Sequence, residues 1–212
     1  MCSSDLICQL GEHVLDRSVA MLGAWLRRGL PPLRVSVNVS GQQFRESNLP
    51  VLCANALDRY KVPGDLLELE LTEGILIDAS DQVLQQLQAL KALGIRLALD
   101  DFGTGFSSLA YLSRFPLDVL KIDRGFVDQI SENSQNRVIV RSTLNLAHDL
   151  GLSVVAEGVE TAQQRDWLVE QGCDELQGYL FSKPVPEDEF ERWVLQRATR
   201  VEPSPIGAVA RY

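Results

Sequence analysis

Arg96-Leu-Ala-Leu-Asp-Asp-Phe-Gly-Thr-Gly-Phe-Ser-Ser108 is the stretch on which the reading of this chain turns. Residues 96–99 are a short, mainly apolar run of the kind that forms a buried parallel strand. The run ends in two adjacent carboxylates, Asp100 and Asp101. Gly103 and Gly105 then permit a sharp turn, and Ser107-Ser108 offers a helix N-cap. Like charges side by side at the end of a buried strand repel, and a cation would relieve that repulsion. Hard oxygen ligands suit Mg²⁺ or Mn²⁺. A helix cap followed by a solvated turn accounts equally well for an isolated Asp-Asp, so the rest of the chain has to decide.

Working outward, strands and helices alternate on both sides of this stretch. Upstream, residues 66–71 form a strand in which Leu67, Leu69 and Leu71 alternate with Glu68 and Glu70, with Glu73 at its end. Ser80 caps a helix whose apolar face is Val83, Leu87, Leu90 and Leu93, closed by Gly94. Earlier still come a helix over 7–28, a strand over 34–37 ending in Asn38 and Ser40, and a helix over 50–60. Downstream, a short helix over 107–114 leads to the strand 119–122, with Lys121 inside its apolar run. A helix over 135–150 precedes the strand 154–156, which ends in Glu157-Gly-Val-Glu160. Thr161 caps a helix to 171, residues 175–181 form the last strand with Gln177 in it, and a helix runs from 186 to 197. Residues 1–6 carry no pattern, and 198–212, with Pro203, Pro205 and Gly207, reads as a flexible tail.

No composition break interrupts 7–197, which reads as one domain, and 212 residues suffice for a substantial core. Hydrophobic content of 45% indicates a globular protein, with no apolar run long enough to span a bilayer and no signal-peptide pattern. A formal net charge of −9 argues against a nucleic-acid binder with a basic face, and it requires any anionic substrate to be attracted locally. Cys2, Cys8, Cys53 and Cys173 show neither paired spacing nor a histidine cluster, so they read as reduced thiols of a cytoplasmic protein, without zinc or disulfides. His13 and His148 sit on helices without a partner motif, and Trp25, Trp167 and Trp193 fit helix faces packed on the sheet. Gly103-Thr-Gly105 is not followed by Gly-Lys-Ser/Thr and is no Walker-type phosphate loop.

Uninterrupted strand–helix alternation implies a parallel sheet covered by helices, satisfied by a doubly wound sheet or a β/α barrel. Asn38, Glu70, Asp100, Lys121, Glu157 and Gln177 fall at or near the C-terminal ends of successive strands. Only in a barrel do all such ends converge on one mouth, which favours the barrel. Taken singly, Asn38 reads as a turn former, Glu70 as an exposed strand position and Lys121 as a snorkelling edge residue. Taken together, Asn38, Glu70 and Asp100 suit one hard divalent cation and Asp101 a second beside it. Two cations about 4 Å apart can clamp the attacking and leaving oxygens of a phosphoryl displacement. Lys121 requires carboxylate or phosphate partners inside a strand, while Glu157 and Gln177 can ligate metal or hold phosphate oxygens.

These residues resemble the EAL domain family, the bacterial cyclic-di-GMP phosphodiesterases. The matching stretches are Val37-Asn-Val-Ser40, Glu68-Leu-Glu-Leu-Thr-Glu73, Asp100-Asp-Phe-Gly-Thr-Gly-Phe-Ser-Ser108, Leu120-Lys-Ile-Asp123, Ala156-Glu-Gly-Val-Glu-Thr161 and Gln177-Gly-Tyr-Leu-Phe-Ser-Lys-Pro184. The resemblance implies a modified TIM (β/α)8 barrel and Mg²⁺- or Mn²⁺-dependent opening of cyclic-di-GMP to linear pGpG. It places metal on Asn38, Glu70, Asp100 and Asp101, and substrate on Gln177 and Asp101. Lys121 would assist the nucleophilic water, Glu157 would complete the catalytic group, and Glu73 would hold the loop 103–108 in its working shape. The family's Glu-Ala-Leu strand, with its metal-binding Glu and substrate-binding Arg, does not occur in this sequence. The expectation is therefore a barrel lacking its first two strands, with impaired activity and edges that favour oligomers such as a homodimer. A sensory or diguanylate cyclase domain, and through it a membrane anchor, would lie upstream. A non-catalytic cyclic-di-GMP receptor is the alternative reading.

Overall fold

Alternating apolar residues in short segments produce parallel strands whose leucines and valines face a helical layer. The computed structural model describes residues 3–77, 80–103, 112–130 and 134–198. Among these the strands are β1 (Val35–Val39), β2 (Leu67–Thr72), β3 (Arg96–Phe102), β4 (Val119–Ile122), β5 (Ser153–Ala156) and β6 (Glu175–Leu176). They pair in chain order, each with the next and all parallel. The helices are α1 (Ser3–Arg27), α2 (Gly41–Glu46), α3 (Leu49–Tyr60), α4 (Glu73–Ile77), α5 (Asp81–Ala92), α6 (Arg124–Val127), α7 (Ser134–Asp149), α8 (Ala162–Glu170) and α9 (Glu187–Ala198).

The sheet is a curled half-barrel with two chemically different faces. Outward, Leu67, Leu69, Leu71, Leu97, Leu99, Leu120 and Val154 join the main core beneath the helices. Inward, among the described residues, Ala98, Val119 and Val155 form a small apolar cluster separate from that core. Below it Glu68 accepts hydrogen bonds from Ser36 Oγ at 2.9 Å and Arg96 Nε at 3.2 Å. Above it stand the acidic groups expected from the sequence. The lumen is thus a polar shaft with a narrow apolar waist. Arg34, ahead of β1, approaches Glu175 of β6 to 4.0 Å, an ion contact that spans the open side of the sheet.

Outside the strands the helical layer closes on itself. Trp25 of α1 donates its indole N–H to Glu191 of α9 at 2.7 Å, Arg28 pairs with the same carboxylate, and Phe190 packs 5.4 Å from the Trp25 ring. The side chain of Trp193 remains partly exposed, stacked on Phe190.

Several expectations are corrected. The strand expected over 175–181 ends at Leu176, and its backbone pairing ends at Gln177. Gly178 lies against the Val159 backbone where no Cβ fits, and the chain then turns, with Phe181 N bonded to Gly178 O at 3.1 Å. α1 begins at Ser3 rather than residue 7. Glu73 follows the end of β2, as expected, and is the first residue of α4, a helix not anticipated from the sequence. The N-cap Ser107-Ser108, most of the helix expected over 107–114 and the tail beyond 198 lie outside the described residues. His148, which has no partner motif in the sequence, lies in the last turn of α7 as expected and contacts Asp174 at 2.9 Å.

Thr161 forms the expected cap as a full capping box, its hydroxyl accepting from Gln164 N while Gln164 Oε1 accepts from Thr161 N at 2.8 Å. Gln164 is buried, and its amide also donates to Val127 O at 3.2 Å, tying α8 to α6. Gln164→Leu should therefore cost about 2–3 kcal/mol, because it leaves several buried backbone groups unsatisfied at once. Urea unfolding checks this, and a midpoint within error of the parent would contradict it.

Candidate metal and active site

The end of β3 departs from regular alternation, and that departure builds the site. Leu99 pairs with Leu120, but Phe102 pairs with Ile122, so β3 has one residue more than β4 between these points. Asp100 and Asp101 together oppose Lys121. A bulge of this kind re-aims one side chain that strict alternation would turn into the helical core. Asp101 takes the strained conformation, with φ of 57°, while Phe102 returns to the buried side. Two adjacent carboxylates thereby serve the same mouth.

Lys121 is buried, with 4% of its side chain exposed, and its ammonium lies 2.8 Å from Glu70 Oε1, 2.5 Å from Glu157 Oε1 and 3.3 Å from Asp100 Oδ1. Burial alone would depress the ammonium. The hydrogen bonds to Glu157 and Glu70 outweigh it and raise its pKa well above the ordinary lysine value. Glu157 is raised by burial, with the Lys121 hydrogen bond opposing. Asp101 is raised by desolvation and then by the charges of Asp100 and Asp123, although its side chain is exposed.

Asn38 stands beside Glu70 in the β1–β2 register, exposed at the edge of the sheet. Gln177 is held at the end of β6 by its N–H to Ala156 O at 2.9 Å and by Val159 N donating to its carbonyl at 3.0 Å. Its side chain is also exposed. Of the residues expected from the sequence, Glu70, Asp100, Asp101, Lys121 and Glu157 form one cluster, while Asn38 lies on edge strand β1 and Gln177 just after edge strand β6. Glu73 sits behind them: its Oε1 accepts from Gly103 N at 2.8 Å, while its buried Oε2 has no hydrogen-bond partner among the described residues. Gly103 has φ of 97°, and a Cβ there would lie 2.9 Å from the Phe126 ring, so glycine is required. Asp123 was not singled out from the sequence, though it follows Lys121 by two residues at the end of β4.

The donors suit a hard divalent cation. One carboxylate oxygen from each of Asp100, Asp101 and Glu157 lies within 4.8 Å of the others. Asp100 Oδ1 is buried and makes no hydrogen bond, which leaves lone pairs for a metal. All donors are oxygens, the preference of Mg²⁺ and Mn²⁺.

A parallel β/α half-barrel with a carboxylate cluster at its C-terminal mouth defines a barrel protein with a site for divalent metal. The EAL domain family model matches residues 2–184, and the chain belongs to that family. It is 41% identical over 185 residues to the bifunctional diguanylate cyclase/cyclic di-GMP phosphodiesterase MucR of Pseudomonas aeruginosa, covering 87% of this chain and 27% of MucR. The structure of the PaMucR phosphodiesterase in complex with c-di-GMP matches with a TM-score of 0.83 and 40% identity, over 88% of this chain and 75% of that one. Klebsiella pneumoniae BlrP1, in a manganese and cyclic-diGMP complex, matches with a TM-score of 0.77 and 31% identity, over 87% of this chain and 46% of BlrP1. The chain spans about a quarter of the length of the curated relatives it matches first. No helix among the described residues is long and apolar enough to cross a membrane.

If Glu73 anchors the start of the loop after β3, Glu73→Ala should expose the Gly103 amide, and Glu73→Gln should retain most of its protection. Hydrogen exchange at Gly103 measures this. About a tenfold or greater faster exchange is expected in the alanine variant, the loss of roughly one hydrogen bond to a charged acceptor. Equal protection in both would contradict the anchor.

Proposed function

We propose that this domain hydrolyses cyclic-di-GMP to linear pGpG with Mg²⁺ or Mn²⁺. The observation that carries the reading is the carboxylate cluster of Glu70, Asp100, Asp101 and Glu157 around Lys121 at the barrel mouth. Support comes from family membership, from relatives named for this activity and from the manganese and cyclic-diGMP complex of BlrP1. Asn38, Glu70, Asp100 and Asp101 are the proposed metal ligands. Bound there, a divalent pair would supply a hydroxide nucleophile and charge stabilisation for an in-line displacement at phosphorus.

The chain's own residues do the rest. Glu70 and Asp100 are buried and fixed by neighbouring strands, so their oxygens need little reorganisation at the moment of reaction. Lys121 orients Glu157 by its short hydrogen bond and is proposed to assist the attacking water. Gln177 and Asp101, exposed at the mouth, are placed to meet the dinucleotide. Glu73 holds Gly103 and with it the start of the loop that follows. The net charge of −9 gives no general attraction for a dianionic dinucleotide, so its affinity depends on these local groups. A cytoplasmic location, a homodimer and an upstream sensory or diguanylate cyclase domain complete the proposal.

Asp100→Asn and Asp101→Asn should each reduce Mn²⁺-dependent pGpG release at least about 100-fold while leaving the circular dichroism spectrum intact, because each removes one charged ligand from a preorganised site. The measurement is chromatographic detection of pGpG from a form of the domain that carries the Glu-Ala-Leu strand and from its variants. Parent-like turnover in either variant overturns its proposed role. Cyclic-di-GMP binding by the parent chain without any pGpG favours a receptor instead.

A further inference from the structure

Four carboxylates, Glu70, Asp100, Asp101 and Glu157, meet one cation at the mouth of the shaft, and that cation belongs to the chain. Lys121 bonds Glu70 and Glu157 and lies within ion-pair distance of Asp100, from a strand set between β3, which carries the aspartates, and β5, which Glu157 follows. Its ammonium bonds Glu70 and lies 3.3 Å from Asp100, two of the proposed metal ligands. An ammonium and a divalent cation cannot share those oxygens without strong like-charge repulsion, since both would sit within a few ångströms of the same lone pairs. The lysine stem is flexible, so its head can give up Glu70 and Asp100 to the divalent cation while keeping Glu157.

We propose that Lys121 is the resident counter-cation of this site: its ammonium holds the carboxylate cluster together in the metal-free domain, and a divalent cation binds by displacing it. The proposal rests on the metal-site reading given above and adds that metal affinity is set by an exchange rather than by an open coordination sphere. Two consequences follow from the charge count. Without Lys121, the metal-free cluster is four carboxylates with no contacting cation from this position, and it repels itself. With metal, the same loss removes a competitor.

The test uses the 212-residue chain, the Lys121→Met variant, whose side chain has similar length and no charge, and Lys121→Arg, which keeps the charge. Mn²⁺ affinity is measured by titration calorimetry, and the unfolding midpoint is recorded with EDTA and with saturating Mn²⁺. Lys121→Met is expected to bind Mn²⁺ at least about tenfold more tightly than the parent, the low end of what a neighbouring charge does to a buried ion. Its midpoint should fall in EDTA and rise further than the parent's on adding Mn²⁺; folding only when Mn²⁺ is present is the extreme form of the same result. Lys121→Arg should stay at the parent affinity or below. Parent binding with Lys121→Met binding no tighter overturns the exchange alone. Failure of Lys121→Met to fold even in saturating Mn²⁺ also overturns it, because the metal then does not replace the ammonium. Absence of Mn²⁺ binding in parent and variant alike removes the metal-site reading and this proposal with it.

Discussion

Alternation of side chains along a parallel strand is the constraint from which the molecule follows. In a curled sheet covered by helices, every second residue enters the apolar layer and the others enter the shaft. β2 shows the arrangement in its plainest form. Leu67, Leu69 and Leu71 are fully buried outward, while Glu68 and Glu70 are buried inward, and all five residues are removed from water. Buried carboxylates of that kind require partners, and the neighbouring strands supply them: Arg96 and Ser36 for Glu68, Lys121 for Glu70. Chemistry at the mouth is possible because alternation is obeyed everywhere else and relaxed for one residue in β3.

The contrast with surface charge is instructive. Lys61 and Asp58 form a close pair, but both side chains are mostly exposed, and such pairs contribute little. Inside the shaft the same groups decide which arrangements exist at all. An unmatched carboxylate there costs more than any surface pair returns. Position decides how charge is met in this fold: at the base of the shaft Glu68 is matched by Arg96, while at its mouth the carboxylates outnumber Lys121.

Much of this was legible in the sequence, and the misses have physical causes. Strand β2 follows from period-two hydrophobicity, the other strands of β1 to β5 from short apolar runs, and α5 and α8 from their caps, because those signals are local. The mouth residues were found together because each falls at a strand end, a pattern that one-dimensional spacing preserves. The bulge was not legible, since it is a mismatch between two strands and only the partner's register reveals it. α2, α4 and α6, of six, five and four residues, are too short to show a helical period. The early end of β6 depends on Gly178 meeting Val159, a contact between separate segments. Likewise the Asp174 contact of His148 joins residues 26 apart, and neither residue type alone signals it.

The seal between α1 and α9 bears on how the chain acquires its fold. Trp25 and Glu191 are separated by 166 residues. At a ribosomal rate of roughly 5–20 residues per second, tens of seconds at most and about eight at least pass between the synthesis of one and the other. During that interval the indole ring of Trp25 has no aromatic partner from α9, and the rim of the helical layer is incomplete. Contacts so distant along the chain also slow spontaneous folding, since the loop they close must be ordered before it is rewarded. The indole of Trp25 is thus made well before the helix that covers it.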